Sequence, residues 1–328
     1  MKKKLIPLIA LMALPLSMGL TACNNKKAIG ILQPVEHAAL GAARDGFEDA
    51  ITKSGLTGYK FDYRNAQGSD ADLQLLAKDL VNTSVLTLGI GTGASQALKG
   101  AEDNAGLSKP LLFTAVTDPV DAGLVASKDN PSGYVCGTTD ANPVEEQIAL
   151  IKEFNSAASK VGIMYTQTEV NSKVQADQAE AAVASAGMTS LVRTCSNSSD
   201  IKATAQYLVD QNVDAIYLPT DNNIAANMNA VKEATVGKNV LVVCGEENML
   251  KSGGHVTLSI DYYNLGYSTG LMAVELLKGN KVPTDYKVVP VPSSDCSYAY
   301  SASNMSACGL TMPAAMLEAH TWKNVDAE

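Results

Sequence analysis

The stretch AIGILQPVEHAALGAARDGFEDAITK (residues 28–53) contains the structural unit from which the fold can be predicted. Its first part, Ala28 to Leu32, is a short apolar run that is typical of a buried β-strand. From His37 to Lys53 the apolar residues recur at helical spacing, at Leu40, Ala43, Phe47, Ala50 and Ile51. The stretch therefore predicts a strand followed by an amphipathic helix.

The same alternation of strand and helix recurs along the chain. A first series predicts strands at 59–64, 84–90 and 109–116, with helices at 72–81 and from residue 94. A second series begins near Pro143, with helices at 144–154, 174–186, 201–210 and 223–234 and strands at 160–165, 189–195, 213–219 and 239–245. Two α/β units, each with a parallel doubly wound sheet, are the fold that this rhythm predicts.

The end of the chain predicts a return to the first unit. A later strand at 255–263 and a helix at 264–278 remain after the second unit, and a final strand is predicted at 286–291 before an irregular tail. About 300 residues is also long for a single core. We therefore expect a hinged molecule, with a first lobe of 28–140 plus 262–290, a second lobe of 141–261, and a tail of 291–328 packed on the second lobe.

The amino terminus has the pattern of a secretory signal. Three lysines, Lys2 to Lys4, precede an uncharged, mostly apolar run from Leu5 to Leu20, which is shorter than the roughly 20 residues of a membrane-spanning helix. The following Thr21-Ala22-Cys23 resembles a bacterial lipobox, which predicts a signal peptide of 1–22, acylation of Cys23 and a tether of 23–27. The alternative is an ordinary signal peptide with a chance cysteine. No transmembrane helix is predicted.

Charge and motif content narrow the classes of function. Removal of the three lysines takes the formal net charge from −9 to −12, and an acidic chain is a poor partner for nucleic acid. The sequence has no G-x-S-x-G, no C-x-x-C and no Cys/His spacing that is typical of zinc. We predict no catalytic residue, no cofactor and no metal site.

Five cysteines remain after Cys23. Cys136 and Cys244 end apolar runs and are expected in the core. Cys296 and Cys308 share one polar segment, and a chain outside the cytoplasm permits a disulfide between them. A disulfide and two free thiols are both consistent with the sequence.

The loops that follow the predicted strands are the expected place for a ligand, since open α/β sheets bind ligands beyond the carboxyl ends of their strands. These loops contain hydroxyls, amides and carboxylates and no Lys or Arg; they are 33–36, 91–95, 114–119, 165–172, 219–223, 245–247 and 261–263. Such groups suit a small zwitterion.

Several of these loops have alternative interpretations. Gly91 to Ser95 precedes a helix whose start favours a carboxylate, although a tight turn or an incomplete dinucleotide loop has the same composition. Asp221 and Asn222 could be helix caps or ligand contacts. Glu246 and Asp261 could bind a ligand ammonium or backbone N–H groups at a hinge.

Six long stretches of the chain have a distinctive order of residues: ILQPVEHAALGAARDGF (31–47), RNAQGSDADLQLLAKDLV (64–81), LLFTAVTDPVDAGLV (111–125), YLPTDNNIA (217–225), CGEENML (244–250) and TLSIDYYNLGYSTGLMAVELLKG (257–279). These stretches resemble the substrate-binding lipoproteins of ABC importers, in particular the group associated with tryptophan and tyrosine uptake. The resemblance implies a type I periplasmic-binding-protein fold, with two Rossmann-like lobes joined by a hinge and a ligand held between them. The segment 292–308 is longer than the corresponding part of the family.

Mapped onto this chain, the ligand loops of the family coincide with the strand-end loops given above, and their position at the strand ends gives a set of candidate ligand-binding residues. They are Thr92, Ala94, Thr114, Ala115, Thr117, Tyr165, Asn171, Asp221, Asn222, Glu246 and Asp261. Tyr262 and Tyr263 could line an aromatic ring or pack at a helix start. We expect Asp221→Ala to weaken binding strongly with little loss of melting temperature.

The function that the resemblance implies is capture of a small zwitterion, an aromatic amino acid as the first hypothesis. The expected partners are an ABC permease and ATPase, and the protein would be a monomer, lipid-anchored outside the cytoplasmic membrane. A ligand-sensing lipoprotein of the same fold is the alternative.

Overall fold

The structure is a computed structural model that describes residues 26–129, 131 and 133–327. The predicted signal peptide and the lipidation site Cys23 lie outside the described residues. No helix in the described part of the chain has both the length and the apolar character needed to cross a membrane.

The first sheet has five parallel strands in the order β2-β1-β3-β4-β5. The strands are β1 (Lys27–Gln33), β2 (Tyr59–Asn65), β3 (Ser84–Ile90), β4 (Leu111–Val116) and β5 (Val135–Thr139). The helices between them are α1 (Ala38–Lys53), α2 (Asp70–Thr83) and α3 (Thr92–Ala105). Strands β4 and β5 have no exposed residue, because helices cover both faces of the sheet.

The second sheet has seven strands in the order β12-β11-β10-β9-β8-β6-β7. Its strands are β6 (Lys160–Thr166), β7 (Thr189–Cys195), β8 (Ala215–Leu218), β9 (Leu241–Cys244), β10 (Val256–Ser259), β11 (Ser297–Tyr300) and β12 (Trp322–Asn324). The helices are α4 (Val144–Phe154), α5 (Val170–Ser185), α6 (Ile201–Asp210), α7 (Asn222–Ala226), α8 (Met228–Thr235), α9 (Tyr262–Lys278), α10 (Ala302–Cys308) and α11 (Ala314–Ala319). The predicted fold class, two α/β lobes with parallel sheets, is confirmed, with an antiparallel β10–β11 pair as an addition.

Helix α9 packs on α1 and so joins the chain after β10 to the first sheet. The contact is close enough to require glycine, since a Cβ at Gly266 would overlap the Ala43 carbonyl oxygen and one at Gly46 would overlap that of Tyr263. The chain then returns to the second sheet as β11. It passes between the two lobes three times: after β5, after β10 and before β11.

The end of the chain differs from the predicted structure. Residues 286–291 form no strand, because Pro290 lacks an N–H and the segment crosses the first lobe, with the Val288 N–H bonded to the Lys128 carbonyl oxygen at 2.8 Å. The predicted irregular tail instead contains β11, α10, α11 and β12. Strand β5 was not predicted, and the helix predicted over 223–234 is divided into α7 and α8 at Asn227.

Cys296 and Cys308 both have free thiols, so the structure does not contain the candidate disulfide. Cys308 is buried in the second lobe, where its thiol donates to the Thr235 carbonyl oxygen at 2.9 Å. Cys296 is partly buried against the hydrophobic cluster of the first lobe. The two side chains therefore belong to different cores, although they are close in sequence.

Candidate functional site

The carboxyl ends of the two sheets face each other across a narrow enclosed space, which we call the inner cavity. Its lining residues are His37, Leu40, Ala115, Thr117, Asp140, Asn171, Thr220, Asp221, Asn222, Ala225, Glu246 and Tyr262. The centre of a water molecule could occupy only about 20 Å³ of it. Both lobes contribute residues, as expected for a ligand site between two doubly wound sheets.

A wider groove, the outer groove, lies next to the inner cavity and is also formed by both lobes. The centre of a water molecule could occupy about 620 Å³ of this groove. The first lobe contributes Pro34, Gln67, Ser69, Thr92 and Gln96, and the second contributes Glu169, Val170, Asn171, Asn223 and Asn227, among others. Asn171 lines both spaces and so lies at the boundary between them.

The inner cavity is acidic. Asp140, Asp221 and Glu246 line it, and no Lys or Arg does so among the described residues. Nowhere in the described part of the chain do three or more His, Cys, Asp or Glu side chains form a group that could hold a metal ion. The cavity therefore favours an organic cation or a hydrogen-bond donor as its occupant.

Glu246 follows β9 and is the carboxylate with free hydrogen-bonding capacity. Its side chain is 2% exposed, and its Oε2 accepts from the Asn248 N–H at 2.6 Å. Its Oε1 has no partner among the described residues. Burial raises the pKa of Glu246 to about 7. A buried oxygen without a partner is unfavourable, and a donor on a bound ligand would satisfy it.

Asp140 lies where the chain first crosses between the lobes, and hydrogen bonds hold it from two sides. The Tyr262 hydroxyl donates to Oδ2 at 2.8 Å, and the Thr117 hydroxyl donates to Oδ1 at 3.0 Å. Burial raises the pKa of the Asp140 carboxyl. These bonds connect the end of β4, the first crossing and the start of α9, so they fix the wall of the cavity at the hinge.

Asp221 has a structural role as the N-cap of α7. Its Oδ1 accepts from the Ile224 N–H at 2.8 Å, and its two oxygens accept from the Thr166 hydroxyl at 2.9 Å and the Thr166 N–H at 2.6 Å. Burial raises its pKa. Because the carboxylate joins β6 to α7, we now expect Asp221→Ala to lower the melting temperature, in place of the small loss expected from the sequence.

Six of the eleven sequence-predicted residues line the inner cavity: Ala115, Thr117, Asn171, Asp221, Asn222 and Glu246. Thr92 instead lines the outer groove. It is the first residue of α3, and its hydroxyl is buried without a partner among the described residues. The start of α3 has no side-chain cap. Thr92 therefore offers a free hydroxyl and a free helix start to the groove.

The other four predicted residues lie outside both spaces. Ala94 is in the core of the first lobe, and Thr114 bonds to Thr138 at 3.1 Å between their hydroxyls. Tyr165 packs against the hydrophobic cluster of the second lobe. Asp261 is exposed and caps α9 by accepting from the Asn264 N–H at 3.0 Å.

Sequence reasoning missed His37, Asp140 and Thr220 as cavity residues. Asp140 follows the strand that was not predicted, so its place at the end of the sheet was not visible. Tyr262 lines the cavity, whereas Tyr263 donates its hydroxyl to Asp49 on α1. Tyr263 therefore packs at the helix start, and contact of Tyr262 with a ligand ring stays a prediction.

Comparison with known proteins places the chain among transport proteins. The ABC transporter substrate binding protein family matches residues 28–315. A tyrosine-binding protein of Clostridioides difficile (strain R20291) is 34% identical over 266 residues, which cover 80% of this chain and 76% of that protein.

Two solved structures show the same architecture. An ABC domain from Streptococcus pneumoniae in complex with L-Trp has a TM-score of 0.84 at 30% identity, over 90% of this chain and 99% of that one. The ligand-free, open structure of a substrate binding protein with adhesive properties from Clostridium difficile has a TM-score of 0.67 at 32% identity, over 91% and 99%. With a cavity between two lobes and a family match over most of its length, this chain belongs to the substrate-binding proteins of ABC transporters.

Proposed function

We propose that this protein captures an aromatic amino acid, L-tyrosine or L-tryptophan, between its lobes and delivers it to an ABC permease and its ATPase. The observation that carries the proposal is the buried Glu246 carboxylate in the inner cavity, with one oxygen free to accept a hydrogen bond. The names of the relatives support the aromatic class, since one is a tyrosine-binding protein and another is a complex with L-Trp.

The inner cavity and the adjoining outer groove together support a specific orientation of the amino acid. We assign the ligand ammonium to Glu246, because an ionised carboxylate forms strong hydrogen bonds with a cation. We assign the ligand carboxylate to the uncapped start of α3, where Thr92 provides a hydroxyl and the helix provides free N–H groups. Leu40 and Tyr262 offer apolar surface for the side chain of the ligand.

Movement of the lobes is supported by the two solved relatives. Their identities to this chain are nearly equal, at 30% and 32%, yet the TM-score is 0.84 for the L-Trp complex and 0.67 for the open form. A rotation of one lobe against the other lowers the TM-score in this way without any change in the fold of either lobe. The division that we propose is 28–140 plus 262–290 for the first lobe and 141–261 for the second, with the 291–328 tail on the second. Packing of α9 on α1 and pairing of β11 with β10 support it, although Cys296, just before β11, packs against the first lobe.

Thermal-shift measurements with all 20 amino acids test the ligand class. A ligand at a hundred times its dissociation constant stabilises the folded state by about 2.7 kcal/mol. We expect the largest shifts with L-Tyr and L-Trp, and none with tyramine or 3-(4-hydroxyphenyl)propionate, which lack the carboxylate and the ammonium respectively. Equal shifts with leucine, or none with the aromatic amino acids, would contradict the proposal.

We also propose that the protein is a monomer, lies outside the cytoplasmic membrane and is anchored there through acylated Cys23. The lysines, apolar run and lipobox at residues 2–23 support this proposal. Cell fractionation tests it, because Cys23→Ser should move the protein from the membrane pellet to the soluble fraction. Retention of the variant in the pellet would argue against the lipid anchor.

A further inference from the structure

Apart from the contact of Asn142 Nδ2 with the Tyr262 hydroxyl at the hinge, at 3.5 Å, two side-chain hydrogen bonds in the described structure cross the gap between the lobes. One joins the hydroxyls of Thr117 and Thr220 at 3.5 Å, the limit for such a bond. The other joins His37 Nε2, just before α1 in the first lobe, to Asn222 Oδ1, at the start of α7 in the second lobe, at 3.1 Å. The His37–Asn222 bond is therefore the stronger of these two connections.

The orientation of the Asn222 amide is fixed by its own lobe. Its Nδ2 donates to Glu169 Oε2 at 2.7 Å, and its backbone N–H donates to the same oxygen at 3.0 Å. Because the amide nitrogen is directed to Glu169, the amide oxygen faces His37. Glu169 is itself held in place, since Oε1 accepts from the Asn223 N–H at 2.9 Å and Oε2 from Asn171 Nδ2 at 3.1 Å.

This arrangement determines which nitrogen of His37 carries the proton. Asn222 Oδ1 can only accept, so His37 Nε2 must donate, and the neutral ring then has a lone pair on Nδ1. Nδ1 is buried and has no partner among the described residues. Burial lowers the pKa of His37, so the neutral ring is the favoured form.

The contact also lies at the boundary between the two spaces. His37 and Asn222 line the inner cavity, whereas Glu169 and Asn223 line the outer groove. We propose that His37 and Asn222 form a latch between the lobes, oriented by Glu169 as a positioning residue, that favours the closed form and slows release of the ligand.

The latch rests on the proposed capture of an amino acid between moving lobes. It differs from direct recognition of the ligand, because a latch acts on the lobes even when no ligand is bound. Loss of one bond should raise the rate of release by about two- to tenfold. It should also increase the distance between the lobes in the unliganded protein.

The test uses the mature chain without its lipid, residues 24–328, with L-Tyr and L-Trp as probes. Stopped-flow competition measures the release rate of His37→Ala, Asn222→Ala and the double variant, and small-angle X-ray scattering measures the unliganded radius of gyration. We expect each single variant to release the probe faster and to have a larger unliganded radius of gyration than the wild-type protein. The double variant should have the same release rate and radius as the single variants. Additive effects on release, or an unchanged unliganded radius, would overturn the latch.

Two further variants complete the design. His320→Ala is the matched control: this histidine bonds Glu153 in the second lobe, away from both spaces, and the variant should change neither quantity. Glu169→Gln should give a smaller effect on release that disappears in the Asn222→Ala background, and an effect that persists there would remove Glu169 from the latch. If neither amino acid binds, the proposed function fails, whereas the radius of gyration still decides the latch.

Discussion

At the scale of single residues, the ends of strands were the best guide to the site. Asp221 and Glu246 follow buried strands and Ala115 lies near the end of β4, so this rule alone places them near the gap between the lobes. His37 lies one residue beyond the 33–36 loop at the end of β1, and it was not a candidate because the sequence pattern assigned it to the start of the helix. The sequence also could not distinguish a cap from a ligand contact at Asp221, because both require the same carboxylate.

Asp221→Ala should reduce stability as well as binding. The substitution removes the cap of α7 and leaves the buried Thr166 N–H and hydroxyl without their acceptor, for a loss of about 2–3 kcal/mol in the free energy of unfolding. Urea denaturation measures this loss. Asp261→Ala is the control, since it removes an exposed cap of α9 and should cost about 1 kcal/mol. Equal losses in the two variants would show that the bonds to Thr166 contribute little.

Binding should depend on pH through Glu246. Burial raises the pKa of Glu246 to about 7, and an ammonium ligand requires the ionised form, so affinity should increase as pH rises through 7. For a single group, L-Tyr should bind about tenfold more weakly at pH 6 than at pH 8. Isothermal titration calorimetry across this range measures the dependence. Glu246→Gln should bind weakly at every pH, and a wild-type affinity that does not change from pH 6 to 8 would exclude this role.

Glu246 should also make the free energy of unfolding depend on pH. The folded state keeps the Glu246 proton up to about pH 7, whereas the unfolded chain loses it near pH 4.5. Between these two pH values the folded state therefore binds more protons than the unfolded state. The Glu246 contribution to the free energy of unfolding therefore falls as pH rises from about 4.5 to 7. In Glu246→Gln this part of the decrease should be absent, as urea denaturation at pH 5 and pH 7.5 can measure. An identical decrease in both proteins would mean that Glu246 is already ionised in the folded state.

At the scale of elements, hydrophobic pattern predicted most strands and helices but not those of the tail. Strands such as β1 and β3 are apolar runs followed by helical spacing, and both lie where the pattern predicts them. Strand β5 has only two apolar side chains, Val135 and Cys136, before a glycine and two threonines, and β12 is three residues long, so neither has a clear period. The strand predicted at 286–291 was wrong. Its valines have the apolar pattern of a strand, but Pro290 lacks the N–H that pairing with a neighbouring strand requires.

The packing of α9 on α1 gives a prediction at this scale. Gly266→Ala places a methyl group against the Ala43 carbonyl oxygen, which can move only if the helices separate, so we expect a loss of about 3 kcal/mol or more. Gly100→Ala is the matched control inside α3, where the new Cβ would meet no atom within 4 Å. It should stabilise the protein by about 0.4–1 kcal/mol. Thermal unfolding of the two variants measures the difference, and a neutral Gly266→Ala would show that α9 is free to shift.

At the scale of the whole molecule, the three crossings between the lobes define what can move. Asp140 and Tyr262 lie at two of these crossings and are joined by a hydrogen bond, whereas the latch joins the start of α1 to the start of α7. A rotation about the crossings therefore opens the latch and the outer groove while each sheet stays intact. The sequence predicted the two lobes and the return of the chain to the first lobe. It could not predict which side chains meet between the lobes, because those contacts depend on how the lobes close.

Binding of L-Tyr should draw the lobes together without disturbing either one. We expect the radius of gyration from small-angle X-ray scattering to decrease when L-Tyr is added to the mature chain. Trp322, the sole tryptophan, gives a second measurement, because it lies in β12 with its Nε1–H bonded to the Met316 carbonyl oxygen and lines neither the inner cavity nor the outer groove. Its fluorescence should therefore stay nearly constant while the radius falls. A large change in Trp322 emission with no change in radius would locate the response in the tail and contradict closure of the lobes as the consequence of binding.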